Sequence, residues 1–235
     1  MKNFSARIVS PELLDMLPSQ DRRALRSRLD LRRLNQWMNH PQRMAEALSE
    51  NLNGAATHRI VELGAGDGHF LLSVARRLQR QWPNADVMLV DRLNVVDPAI
   101  VNSFGDLGWH VRVETAAVSG WLRQLPSNTA DAIIANLFLH HFQAGELAEM
   151  FQLAAGAARV FIALEPRRAW LSRLCGHLLW VIRCNSVTRH DAGVSIRAGF
   201  SGRELTAIWP DKANWDLAEC AAGWFSHLFV ARRKD

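Results

Sequence analysis

Cysteine is scarce in this chain. The three present among 235 residues, Cys175, Cys184 and Cys220, are widely spaced and odd in number, which argues against a disulfide framework or a zinc site and for reduced, partly buried thiols. Lysine is scarcer still in effect: Lys2, Lys212 and Lys234 make up the whole set, so the net charge of +5 and the pI near 9.8 rest on arginine. No apolar run of signal-peptide length follows Met1, because Lys2, Arg7, Glu12 and Asp15 interrupt it, and the expected location is the cytosol. The most apolar stretch, from Trp170 to Ile182, is shorter than the roughly 20 residues needed to span a bilayer. Repeats, low-complexity tracts and interdomain linkers are also lacking. What is present is a soluble globular composition, 49% hydrophobic and 22% charged, in a length that suits one domain or one domain with an appendage.

The most informative segment runs Val61-Glu62-Leu63-Gly64-Ala65-Gly66-Asp67-Gly68-His69-Phe70. His58 to Leu63 ends in the alternation of a strand, and Leu71, Leu72, Ala75 and Leu78 carry the spacing of a helix face, so the glycines fall at the crossing between the two. A dinucleotide loop would read Gly-x-Gly-x-x-Gly and present N–H groups to a pyrophosphate. Here the third residue after Gly66 is His69, and Glu62 at the strand end would repel a pyrophosphate but suit a cationic ligand.

With its acidic-x-Gly-x-Gly-x-Gly pattern at Glu62, Gly64, Gly66 and Gly68, the sequence resembles the class I S-adenosylmethionine-dependent methyltransferases. Two further matches follow in order. Ala85 to Val90 reads as a second strand and stops at Asp91, where the family holds the ribose hydroxyls, and Asp131 to Phe142 looks like the fourth strand and the turn facing the methionine end. The resemblance implies S-adenosylmethionine as cofactor, held by Glu62, Gly64, Ala65, Gly66, Asp91, Arg92, Ala117 and Asn136. It also implies a Rossmann-like α/β fold, a doubly wound and mostly parallel sheet closed by a C-terminal antiparallel hairpin. One departure stands out. Ala117 occupies the position where many members place an Asp against adenine, so the base would be held by backbone groups and by packing against Arg92 or Trp121.

Along the chain, residues 1–55 read as an N-terminal helical cap, broken at Pro18 and near Pro41, with no strand pattern before His58. In many methyltransferases of this class such a segment lies over the cofactor cleft as a lid. Residues 56–235 read as the methyltransferase domain, with further strands at Trp109 to Val113, Ala130 to Asn136 and Arg159 to Leu164, then Trp215 to Cys220 and Phe225 to Ala231. Between them lies a helical insertion at about 165–210, longer than an ordinary connection and so expected to be functional. Arg22, Arg23, Arg26, Arg28, Arg32 and Arg33 cluster in the cap. Interspersed Asp21 and Asp30, and apolar residues at helical spacing, make this a solvated helix face and argue against nucleic acid as partner.

The remaining candidates concern the acceptor. His190, beside Asp191, is the first choice for a catalytic base; His140 and His141, just beyond Asn136, are candidates to line the substrate site. The loop Asn136-Leu137-Phe138-Leu139 lacks the prolines of nucleobase and glutamine N-methyltransferases and the cysteine of a covalent route to cytosine. Asp131, at a strand start, has no acidic partner for magnesium, so no metal is expected. The insertion helix, flanked by Arg167, Arg168, Arg173 and Arg183, would wall an apolar pocket or rest on a membrane or lipid surface. Its later run, Arg189 to Leu205, is similar to bacterial methyltransferases of phenolic or polyketide-derived lipids. The expected function is methylation, most readily at oxygen, of an apolar small-molecule acceptor. The alternatives are an RNA or protein methyltransferase, or a binding subunit without turnover.

Overall fold

The computed structural model describes residues 6–52, 57–169 and 183–234. Three helices come first, α1 (Leu13–Met16), α2 (Arg22–Trp37) and α3 (His40–Asn51). Strands and helices then alternate: β1 (His58–Leu63), α4 (His69–Leu78), β2 (Ala85–Asp91), α5 (Pro98–Gly105), β3 (Trp109–Thr115), α6 (Val118–Leu122), β4 (Ala130–Asn136), α7 (Ala144–Ala157) and β5 (Ala158–Pro166). Two more helices, α8 (Ser186–Ala198) and α9 (Glu204–Ile208), precede the closing strands β6 (Trp215–Ala221) and β7 (Ser226–Arg233). Among the described residues, no helix is long and apolar enough to cross a membrane.

The seven strands form one sheet in the order β3-β2-β1-β4-β5-β7-β6. The first five are parallel, and β7 runs antiparallel between β5 and β6. Period-two alternation sorts their side chains onto two faces. Ile60, Val87, Leu89, Ile134 and Ile162 belong to one core cluster; Val61, Leu63, Val90, Ile133 and Phe161 belong to the other. Both faces are covered by helices, which is why these strands read as nearly continuous apolar runs. On the second face Phe151, Phe161, Trp209 and Phe229 stack with ring centroids 5.0–6.3 Å apart. Strand order reverses at β1 and β4, and such a reversal opens a crevice at the carboxyl ends of the strands.

The strand limits differ from the expected ones by one or two residues at the ends: β3 continues to Thr115 because its outer residues pair with β2 up to Asp91, β5 runs from Ala158 to Pro166, and β7 from Ser226 to Arg233. The helices before β1 begin where the sequence breaks them: Asp21 caps α2 by accepting the Arg23 N–H, and Pro41 sits in the first turn of α3. The three do not form a body of their own. Met44, Ala45, Ala47 and Leu48 of α3 are buried in the same core cluster as Ile60 and Leu71. Residues 170–182, and with them Cys175, the proposed apolar wall and Arg173, lie outside the described residues. Of the flanking arginines, Arg168 is not a surface contact. It is 7% exposed, donates to the Gly199 carbonyl and Ser201 Oγ, and pairs with Glu204. Cys184 is buried and Cys220 exposed, both as free thiols.

If α3 belongs to the core, Met44→Ala, at a fully buried position, should cost about 2–5 kcal/mol. Urea unfolding of the whole chain should show this as a lower midpoint with an unchanged slope. A midpoint equal to that of the parent would mean that α3 is a detachable lid.

Candidate active site

The carboxyl ends of β1, β2, β4 and β5 carry Glu62, Asp91, Asn136 and Glu165. The parallel register brings these ends to one edge: Leu63 stands beside Val90 and Ala135, and Asn136 beside Leu164. Each stands at the end of an apolar strand or one residue before it; Glu62, Asp91 and Asn136 line the crevice, whereas Glu165 is fully buried.

The loop after β1 is shaped by its glycines. Gly64 has a φ of +69°, and a Cβ there would run into the Phe138 ring; Gly66 has a φ of +54° and open space where a Cβ would stand. The first glycine therefore permits a close approach, and the second keeps a cradle empty. Asp91 accepts the Gly66 N–H (2.8 Å) on one carboxylate oxygen and the Leu93 N–H (2.9 Å) on the other. Glu62 is 2% exposed, and its Oε2 makes no hydrogen bond among the described residues. Burial, reinforced by the charges of Asp67 and Asp91, pushes its pKa well above the carboxylate range. A buried acid left without a partner is poised to receive a cation.

The turn after β4 is held differently. Leu137 adopts a φ of +52°, rare for a leucine. Glu165 then accepts the backbone N–H groups of Phe138 (2.9 Å), Leu139 (2.8 Å) and His140 (3.3 Å), and its Oε2 also receives His140 Nδ1 at 2.8 Å. On the other side, His140 Nε2 stands 3.2 Å from Glu12 Oε1, and the Ser195 hydroxyl donates to the same oxygen. Burial opposes charge on His140, but hydrogen bonds to Glu12 and Glu165 outweigh it and push its pKa up to about 9. Burial, together with the His140 charge, lowers the His141 pKa. His141 Nδ1 lies 3.4 Å from Asp15, which pairs in turn with Arg92 at 2.7 Å. Asn136 Oδ1 accepts from Nδ1 of His40 (2.8 Å), a buried imidazole whose pKa falls to about 4, mainly through burial, and whose Nε2 accepts the Ser226 hydroxyl (2.6 Å).

One cavity of about 1150 Å³ joins these features. Glu62, Gly64, Ala65, Gly66, Asp91, Arg92, Ala117, Asn136, His140 and His141 all line it. The helices before β1 cover it, tied down by Arg32 to Asp67 (2.8 Å) and Asn136 to Asn35 (3.0 Å). Two expectations are corrected. His190 does pair with Asp191, at 2.9 Å, but half its side chain is exposed and it does not line the cavity; Asp191 turns inward and accepts the N–H groups of Leu13 and Leu14. Trp121 packs into the core cluster beneath β4 and is absent from the cavity wall, which near Ala117 is completed by Val118 and Ser119. Sequence reasoning missed Glu12, Asp15, His40, Asp67 and Glu165. Glu165 carried a usable signal, since it ends an apolar strand just as Glu62 and Asp91 do.

No family model matches the chain, and no curated protein matches it. Solved structures do. An O-methyltransferase family protein from Burkholderia thailandensis superposes with a TM-score of 0.58 at 21% identity, covering 92% of this chain and 61% of that one. A SAM dependent methyltransferase from Aquifex aeolicus gives 0.52 at 16% identity, over 83% and 89% of the two chains. The CurJ carbon methyltransferase gives 0.54 at 14%, over 84% and 54%. The chain thus spans 61% of the length of the Burkholderia protein. Its fold is the class I methyltransferase fold expected from the glycine loop.

Two substitutions test the contrast between the buried acids. The folded-state pKa of Glu62 lies above its unfolded value, so its cost is absent below the ordinary carboxylate range and grows as pH rises from there. Glu62→Gln should therefore match the ligand-free parent near pH 4 and melt higher near pH 7, by about 2–4 °C for each kcal/mol recovered. An advantage that does not change with pH would refute this account. Glu165→Gln removes an acceptor from a buried pair and should cost about 3–5 kcal/mol, read as a fall in Tm.

Proposed function

We propose that the chain is an enzyme that transfers a methyl group from S-adenosylmethionine to an oxygen of an apolar small molecule of phenolic or polyketide-derived, lipid-like character. The observation that carries this reading is the joining, in one cavity, of the Glu62 glycine loop and Asp91 with the His140–His141 turn and the apolar side chains of the helical cover. On the cofactor side, the methionine ammonium is the cation that buried Glu62 lacks, and its arrival relieves the cost of ionising that acid. The open space at Gly66 accommodates the methionine backbone. Asp91 retains lone pairs for the ribose hydroxyls, and Ala117 leaves the adenine edge to backbone groups.

The reaction asks for little covalent help from the protein. The sulfonium is already a strong electrophile, so alignment of nucleophile, methyl carbon and departing sulfur supplies much of the acceleration, up to about 7–11 kcal/mol in favourable cases. The acceptor hydroxyl loses its proton, the new O–C bond forms, and the C–S bond breaks with its electron pair left on sulfur. Val9, Leu14, Met16 and Leu31 from the cover and Ala192 and Ile196 from α8 contribute to the wall, which favours an apolar acceptor.

The arginines of α2 support this acceptor over RNA or an acidic protein. Arg23 pairs with Asp21, Arg28 donates to the Ser19 carbonyl, Arg32 pairs with Asp67, and Arg33 lies 3.6 Å from Asp30. Four of the six clustered arginines are thus engaged within the chain, and one of them braces the cofactor loop.

Ligand binding to the folded state raises its apparent stability. S-adenosylmethionine and its demethylated product should each raise the Tm, and Asp91→Ala and Gly66→Val should remove that shift. Isotopic methyl should pass into organic extracts of phenols and lipids, with His190→Ala retaining the parent rate. No shift at millimolar ligand would end the cofactor reading; incorporation into RNA and none into the extract would end the small-molecule reading.

A further inference from the structure

The acceptor side of the cavity holds a group of residues that simple methyl transfer does not require. Glu12, His140 and His141 each offer one ligand atom, and these three atoms lie within 4.8 Å of one another. All three residues line the cavity. An ion bound at roughly 2.0–2.2 Å needs its ligand atoms about 3–4 Å apart. His140 Nε2 and Glu12 Oε1, at 3.2 Å, already stand at that separation.

The surroundings resemble a support for metal ligands more than a solvated cluster. The far nitrogen of His140 is held by Glu165 at 2.8 Å. A metal-binding histidine is commonly oriented in this way, by a carboxylate on its other ring nitrogen. Ser195 donates to the Glu12 oxygen, and the His141 ring lies against that of His140 at 4.3 Å between centroids. Glu12 and Glu165 place two carboxylates in a buried site, and a divalent cation balances them once it displaces the proton that His140 Nε2 shares with Glu12.

We infer that Glu12, His140 and His141 bind one divalent transition-metal ion of the zinc or cobalt kind, with Glu165 as the residue that orients His140. Two imidazoles and one carboxylate suit such ions and not magnesium or calcium, which take oxygen ligands. The sequence led to the expectation of no metal because it offered only widely spaced cysteines for zinc and an isolated strand-end carboxylate for magnesium, whereas these ligands come from positions 12, 140 and 141. The role of the ion rests on the methyl-transfer reading above, whereas its binding does not. An ion at this position draws charge from the acceptor oxygen and eases loss of its proton to solvent. Bond making to the methyl carbon and bond breaking at sulfur then proceed as already written.

The test uses the whole chain, stripped with a chelator and dialysed. Zn²⁺ should bind with a stoichiometry near one by calorimetry, Co²⁺ should develop visible absorption, and Mg²⁺ should displace neither. Glu12→Gln and His141→Ala should weaken Zn²⁺ binding by at least about 10–100-fold, the loss typical of removing even a supporting residue, and Glu165→Gln by about that range. His190→Ala should bind Zn²⁺ as the parent does. The demethylated cofactor product should still raise the Tm of Glu12→Gln and His141→Ala, which shows that they are folded. Absence of that shift in the parent counts against the cofactor reading and leaves the metal site standing. The site is overturned if the parent takes up no Zn²⁺ at micromolar concentration, or if folded Glu12→Gln and His141→Ala both bind it as tightly as the parent.

Discussion

The cavity depends on one buried carboxylate. Glu165, at the end of β5, is fully buried and accepts from three consecutive backbone N–H groups and from the His140 ring. Burying an acid is costly unless it is hydrogen-bonded or paired, and here the cost is offset by donors that would themselves be unsatisfied in the turn. Burial works against the charge, but His140 and the backbone groups outweigh it and hold the Glu165 pKa low. The exchange fixes the path of residues 137–141, with Leu137 in its unfavourable conformation. Phe138 is thereby placed against Gly64 and His141 at the cavity wall.

Glu62 shows the same side chain in the opposite condition. Both acids end parallel strands at the same edge of the sheet and both are buried. One is satisfied internally and its pKa is held low; the other lacks a partner for Oε2 and its pKa is pushed well above the carboxylate range. Environment alone assigns the two roles, one organising the turn and the other waiting for a charged ligand. His40 and His140 repeat the contrast among imidazoles. The first faces a neutral amide and a hydroxyl, and burial lowers its pKa to about 4; the second faces two carboxylates, which raise its pKa to about 9.

Much of this was legible in the sequence because it is local. Alternating apolar residues marked β1 and β4 with their observed limits, and the glycines between β1 and α4 marked the loop and the fold. Asp91 and Asn136 were found because strand ends are recognisable by where apolar runs stop. Contacts between distant segments carry no such pattern. Nothing in the neighbourhood of Glu12 reveals that it meets His140 128 positions away, and nothing near His40 announces Asn136. His190 and Asp191 do meet, at 2.9 Å, yet adjacency in the chain could not reveal which of the two would face the cavity: Asp191 lines it and binds the backbone of α1, and His190 does not line it. That helices precede β1 was readable from the breaks at Pro18 and near Pro41, but which of them cover the cavity and which join the core was not.

The contact between Gly64 and Phe138 joins two loops that lie 74 positions apart in the chain. Because the ring fills the place of a missing side chain, neither position is free to drift alone. A larger residue at 64 demands a smaller one at 138 and also a backbone turn that only glycine adopts easily. Diversifying the loop after β4 therefore has a fixed point at its second residue. Combinatorial libraries over 137–142 would sample variation at the positions around Phe138, while changes at Phe138 itself would be felt in the glycine loop after β1.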